Sequence, residues 1–201
     1  MSPDPHEAWP QPIPISLRGV RPVAGGVNAG VLRATLIAWK EQGRFGLTSP
    51  LAHLLAAAIG ELAPIRAPII LVPVPTSRRS KRARGSDVVD ELARAASKLL
   101  RRIDIEAHVE QALTYTRSTI DQSGLDSAAR ASNLHGAFRL RRAQLREGAV
   151  VVVDDILTTG STVGEAVRVL TAAGRRPMGV AVVAATPLRS ADQRSKPVDQ
   201  R

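Results

Sequence analysis

The chain has 201 residues, 44% hydrophobic but only 2% aromatic, with 28 Lys and Arg against 18 Asp and Glu, a formal charge of +10. It contains no cysteine, which excludes disulfides, thiolate metal sites and cysteine nucleophiles. A core of Val, Leu, Ile and Ala suits parallel strands under amphipathic helices. The charge favours anionic partners without choosing among phosphates, nucleic acid and acidic surfaces. No apolar run approaches the roughly 18 residues of a membrane span, and the polar stretch Met1–Pro22 lacks the apolar centre of a signal peptide. The expected setting is the cytoplasm.

Taken in order, residues 1–22 carry Pro3, Pro5, Pro10, Pro12, Pro14 and Pro22 and read as a disordered arm. Residues 23–187 read as one domain, and residues 188–201 as a polar, disordered tail. Asn28 is placed to cap a helix reaching Lys40. Ser49-Pro50 reads as N-cap and first helical position, with Leu51, Leu54, Leu55, Ala58, Ile59 and Leu62 on the buried face of the helix that follows. Ile69–Val72, bounded by prolines, is a buried strand. Ser86 or Asp87 starts a helix burying Val88, Leu92, Ala95, Ala96 and Leu99. Residues 103–113 read as extended. Ala149–Val153 is the clearest buried strand. Val163, Ala166, Val167 and Leu170 line the next helix, stopped by Gly174 at C′, and Met178–Ala184 is a further strand. Strands alternating with helices predict an α/β fold, a mostly parallel twisted sheet with helices on both faces.

The richest chemistry follows the valines. Val150–Val153 run into Asp154-Asp155-Ile156-Leu157 and Thr158-Thr159-Gly160-Ser161-Thr162, and then a helix. Ligands of open parallel sheets bind at the carboxyl ends of strands. Small residues leave room for a phosphate against backbone N–H groups, hydroxyls add donors, and the helix N-terminus adds its positive dipole end. Two carboxylates beside an anion site make sense if the ligand carries hydroxyls next to its phosphate, as a ribose 5-phosphate does. The competing reading is a capped helix start with both aspartates as solvated caps. A nucleoside-triphosphate P-loop is excluded, because no Gly-Lys-Ser/Thr follows the turn.

These residues resemble the signature of the type I phosphoribosyltransferases: an apolar strand, paired acids, then Thr-Thr-Gly-Ser-Thr. More of the chain resembles one branch, the ComF/GntX-like proteins. Leu71-Val72-Pro73-Val74-Pro75-Thr76-Ser77 followed by a basic run and Arg84-Gly85 is similar, as are Arg117, Gln122, Leu125, Arg130, Asn133 and Gly136-Ala137-Phe138, and Trp39-Lys40 with Gly43-Arg44. The chain departs from that branch in lacking the usual N-terminal cysteine zinc module, and in Ser86-Asp87-Val88 where the branch has Phe-Asn-Gln.

The resemblance implies a phosphoribosyltransferase fold that binds phosphoribosyl pyrophosphate. Asp154 and Asp155 would hold the ribose and act in catalysis, and Thr158, Thr159, Gly160, Ser161 and Thr162 would hold its 5-phosphate. Pro75, Thr76, Ser77, Arg78 and Arg84 would form the pyrophosphate loop. Arg117, Gln122, Arg130 and Asn133 would lie in a hood loop closing over the substrate. Mg²⁺ would be bound mainly through the substrate, with no protein metal site, and the acceptor would be a nitrogen nucleophile such as a nucleobase. Two alternatives stay open: a non-enzymatic phosphosugar-sensing regulator, and a ComF-like accessory of DNA uptake. Nucleic-acid binding, if it comes from charge alone, is expected to be weak, because no aromatic residues interleave the basic run; a homodimer is left open. Lys40 could neutralise a phosphate, but the preferred reading is a helix C-terminal cation favoured by the dipole. His6, His53, His108 and His135 form no metal-ligand spacing and receive no role.

Overall fold

The computed structural model describes residues 1–63, 67–76, 85, 87–116, 136–141 and 145–187. A six-stranded sheet carries the order β1-β2-β8-β7-β3-β4. Its strands are β1 (His6–Glu7), β2 (Arg21–Ala24), β3 (Ile69–Pro73), β4 (Ala107–Val109), β7 (Ala149–Leu157) and β8 (Gly179–Ala185). Every pairing is parallel except that of the edge strand β1 with β2. Leu113–Tyr115 (β5) and Phe138–Leu140 (β6) form a separate antiparallel ribbon. The expected α/β architecture is therefore the one observed.

The four apolar strand positions alternate between two cores, which is how a strand buried on both faces reads as a continuous apolar run. Val151 and Val153 face α1 (Gly30–Glu41), α2 (Thr48–Gly60) and α3 (Val88–Arg101), packing with Leu36, Trp39, Leu55 and Leu92. Val150 and Val152 face the other way, onto α4 (Ser161–Ala172), the ribbon and the short 3₁₀ turn at Ile15–Leu17. Asp87 caps α3, its side chain accepting from the Asp90 amide. Gly174, at φ +75°, ends α4 as expected. The Arg175 amide reaches Leu170 O and the Gly174 amide reaches Thr171 O, the paired bonds of a Schellman stop.

Three expectations need correction. Residues 1–22 are not a disordered arm. β1 is hydrogen-bonded onto β2, Leu17 and Val20 are wholly buried, and Pro10 is buried too. An apolar side chain every few residues was enough to seat a proline-rich segment on a neighbouring surface. Asn28 does not cap α1, whose N-cap is Ala29, and α2 begins at Thr48 with Leu47 as its N-cap rather than Ser49. Residues 103–113 are not one extended piece: a turn at 102–104 separates α3 from β4, and residues 110–112 separate β4 from β5. Residues 188–201 lie outside the described residues.

Candidate functional site

Strand β7 does not stop at Val153. Its ladder to β8 continues through Asp154↔Val182, Ile156↔Ala184 and Leu157↔Ala185. The acids are thus strand residues, and the loop is only Thr158–Gly160 before α4 begins at Ser161. Alternation sends the two carboxylates to opposite sides of the strand end. Both are buried, Asp154 being 9% exposed and Asp155 2%. Neither caps a helix: the N-cap of α4 is Gly160, which has no side chain to offer. The reading of the pair as solvated caps is therefore overturned.

Each carboxylate is fixed by the backbone beside it. Asp154 Oδ1 accepts from the Asp155 amide at 2.8 Å, and Asp155 Oδ1 accepts from the Ile156 amide at 3.0 Å. Asp155 Oδ2 lies 2.6 Å from Lys40 Nζ at the end of α1. Lys40 is therefore the counter-ion of the acid pair, and not merely a cation for its own helix dipole. Burial, and then the charge of Asp155, hold the Asp154 carboxyl well above the usual carboxylate range, against the opposing pull of Lys40.

The phosphate-loop candidates are preformed by their own hydroxyls. Thr159 Oγ1 and Ser161 Oγ are 2.9 Å apart, and the Ser161 amide reaches Thr159 Oγ1 at 3.4 Å. Gly160 sits at φ +74°, and a Cβ there would lie 2.7 Å from Pro10 Cγ and 3.2 Å from Leu17 Cδ1. Glycine is needed twice over, for the left-handed turn and for the close approach of the N-terminal segment. Gly160, the N-cap of α4, offers no side-chain hydrogen bond to the first amides of the helix, and such amides favour an anion.

A cavity of about 420 Å³ opens at this end of the sheet, between the tips of β3 and β7. Of the sequence candidates, Asp154, Asp155, Thr158, Thr162, Pro75 and Thr76 line it. Thr159, Gly160 and Ser161 form the adjoining turn without lining it. Thr76 Oγ1 donates to Asp87 Oδ1 at 2.8 Å, which ties the end of β3 to the start of α3. Ser77, Arg78 and Arg84 of the expected pyrophosphate loop, and Arg117, Gln122, Arg130 and Asn133 of the expected hood, lie outside the described residues.

Two polar lining residues, Asn28 and Tyr115, were given no place at the site by the sequence, and Lys40, also in the lining, was read there by preference as a helix-end cation. Tyr115 is the chain's single tyrosine. It packs edge-on against Phe138 with ring centroids 5.0 Å apart. Its phenol is pushed up to about 12 by burial first, then by the charges of Asp154 and Asp87. A lone tyrosine in a short strand with polar neighbours was the available signal.

The ribbon is fastened to α4 by a buried charge. Glu165 takes the Gly136 amide at 2.8 Å and both arms of the Arg168 guanidinium at 2.7 and 2.8 Å. Burial is the largest single influence and pushes its carboxyl up, but the bonds and charge of Arg168 together with the Phe138 and Gly136 amides bring it below its ordinary value. Among the described residues no group of three or more His, Cys, Asp or Glu is arranged to hold a metal ion, and no helix is long and apolar enough to cross a membrane.

Comparison with known proteins follows the same line. Residues 84–200, more than half of the chain, match the phosphoribosyl transferase domain family. The DNA utilization protein YhgH of Escherichia coli O6:H1 is 36% identical over 107 residues, covering 53% of this chain and 44% of that protein. Competence protein F of Haemophilus influenzae is 30% identical over 137 residues, covering 66% and 58%. The chain thus spans about half the length of these curated relatives. Among solved structures, an allosteric regulatory enzyme of purine biosynthesis is similar at TM-score 0.39 and 19% identity, over 68% of this chain and 26% of that one; a likeness that loose says nothing about chemistry. The chain belongs to the phosphoribosyl transferase domain family, and within it to the ComF-like branch.

Proposed function

We propose that this chain binds phosphoribosyl pyrophosphate and transfers its phosphoribosyl group to a nitrogen nucleophile such as a nucleobase. The observation that carries the reading is the buried Asp154–Asp155 pair sharing one cavity with Thr158, Thr162 and Thr76 at the carboxyl end of a parallel sheet. Ribose hydroxyls would donate to the two carboxylates. The 5-phosphate would sit on the residue 158–162 turn and the first amides of α4, and the pyrophosphate beyond Pro75 and Thr76, toward Ser77, Arg78 and Arg84. Arg117, Gln122, Arg130 and Asn133 belong to the same reading as hood contacts, and so does a cytoplasmic setting.

In the reaction the C1–O bond to pyrophosphate breaks, the pair of electrons leaving with the pyrophosphate. The sugar passes through an oxocarbenium-like state, a C1–N bond forms, and the nucleophile's proton goes to solvent. The chain contributes position and charge rather than a strong acid or base. Asp154 and Asp155 put negative charge beside the carbon that becomes positive. Lys40 offsets part of that charge while the site is empty of substrate. Two carboxylates with one lysine are too few donors for a protein-held metal, but they suit an ion shared with phosphate oxygens. Mg²⁺ bound with the substrate would neutralise the leaving pyrophosphate.

The test is thermal and calorimetric titration with phosphoribosyl pyrophosphate and Mg²⁺, joined to a pyrophosphate-release assay across nucleobases. A rise in melting temperature is expected, by mass action on the folded state, with a smaller rise for ribose 5-phosphate. No shift at millimolar ligand removes the reading. Binding without release for any acceptor replaces the transferase with a phosphosugar-sensing regulator.

A role in DNA handling is the second reading, favoured by the names of the relatives and by the +10 charge. Binding that comes from charge alone falls steeply with salt and ignores sequence. Tight binding that survives high salt would point instead to a dedicated nucleic-acid surface.

A further inference from the structure

Among the described residues, Asn28 Oδ1 is a buried side-chain oxygen with neither a hydrogen bond nor an ion pair, whereas Asp155 Oδ2, which also lacks a hydrogen bond, is ion-paired to Lys40 at 2.6 Å. Both residues line the same cavity. Buried polar atoms are otherwise almost always satisfied, because leaving one unmade is costly. An orphaned acceptor on a residue that lines the cavity points to a donor supplied from outside the chain.

Asn28 is held for that task. Its amide N–H donates to Ala185 O at 2.8 Å, its Nδ2 donates to Thr186 Oγ1 at 3.2 Å, and its neighbour Val27 is bridged to Ala185. The end of β8 therefore fixes both backbone and side chain, and the remaining side-chain atom is an acceptor of fixed position. It is neutral, so it adds no repulsion to the two carboxylates and one phosphate already expected there.

We propose that Asn28 is a ligand-contacting residue of this site, its Oδ1 accepting a sugar hydroxyl of the phosphosugar alongside Asp155 Oδ2. This rests on the reading that the cavity takes a ribose 5-phosphate. It makes the site selective for the hydroxyl-bearing part of the ligand, since a buried acceptor discriminates against ligands that bring it no donor. The phosphate, held by the residue 158–162 turn, is untouched by it.

The experiment titrates ribose 5-phosphate and, separately, inorganic phosphate into the wild-type chain, Asn28→Leu and Thr186→Val, with circular dichroism to confirm folding. Asn28→Leu is expected to weaken ribose 5-phosphate roughly tenfold or more while leaving phosphate binding unchanged. Thr186→Val removes the partner of Nδ2 but not the acceptor, and is expected to cost much less. The proposal is overturned if Asn28→Leu binds ribose 5-phosphate like wild type, if it loses phosphate equally, if Thr186→Val reproduces the whole loss, or if it does not fold. A wild-type chain that binds phosphate but not ribose 5-phosphate defeats the parent reading first, and Asn28 with it; that outcome differs from a loss confined to the variant.

Discussion

Two stretches of the chain meet at the turn of residues 158–162, and they differ in how they got there. Residues 154–162 carry their chemistry in consecutive positions: acids, then hydroxyls, then a glycine and a helix start. Residues 6–47 carry nothing of the kind in sequence, yet they place Pro10 and Leu17 against Gly160, Asn28 in the cavity and Lys40 on Asp155. The first stretch is a local device, in which neighbours along the strand make each other's geometry. The second is a set of separate residues that act only because the sheet brings β2 beside β8, and β8 beside β7. A site can thus look complete in one motif while much of its support comes from elsewhere.

The largest expected effect breaks the local half. Changing Asp154 and Asp155 together to Asn keeps size and the backbone-facing oxygens but removes both charges. Each lost charge-assisted bond to the sugar costs about 1.5–3 kcal/mol, or about tenfold to a hundredfold in affinity. Calorimetry with phosphoribosyl pyrophosphate should therefore show near-complete loss of binding by a folded protein. Unchanged affinity would mean that the acids do not touch the sugar.

A smaller effect tests whether the two stretches are joined. Gly160→Ala strains a left-handed backbone by about 1–2 kcal/mol and adds about 1–3 kcal/mol of overpacking against Pro10. Adding Pro10→Gly should recover the packing part and leave the backbone part. Urea unfolding of the single and double variants measures the coupling, and strict additivity would show that the N-terminal segment does not press on the turn.

The smallest effect concerns Asp154 alone. Its folded-state carboxyl titrates well above its ordinary value of 3.8, so the folded chain binds the proton more tightly than the unfolded chain does. Its contribution to stability is therefore fully present below pH 3.8 and is lost as pH rises through the raised value. Asp154→Asn, which cannot ionise, should melt no higher than wild type near pH 4 and higher near pH 7. A melting difference that is flat with pH would remove the assignment of burial as the dominant influence on this group.

What could be read in advance follows the same division. Val150–Val153 announced a buried strand, and Gly174 announced a helix stop, because each signal lies within a few residues of the structure it dictates. The acid pair was legible as chemistry but misplaced as structure. Asp154 and Asp155 are poor strand formers by composition, and only pairing with Val182 and Ala184 of β8 holds that stretch extended. Prolines in residues 1–22 spoke for disorder, whereas burial of Leu17 and Val20 depends on a surface 140 residues or more further along the chain, including Val163 and Leu170. Lys40 gave a valid local explanation, the helix dipole, which hid the longer-range one.

One consequence concerns engineering. The chain leaves the ribbon at Thr116 and returns at Gly136, where Thr116 Oγ1 donates to Gly136 O at 2.9 Å and the Gly136 amide is held by Glu165. The two ends are therefore stapled to each other and to α4 whatever connects them. Joining two fixed ends by a flexible connection costs only about 0.6 kcal/mol more for each doubling of the connection's length. Thr116 and Gly136 thus form a fixed pair of graft points. Segments of different length and composition, taken from relatives or from libraries, can be grafted between Thr116 and Gly136, and the sheet that carries Asp154 and Asp155 need not be redesigned to receive them.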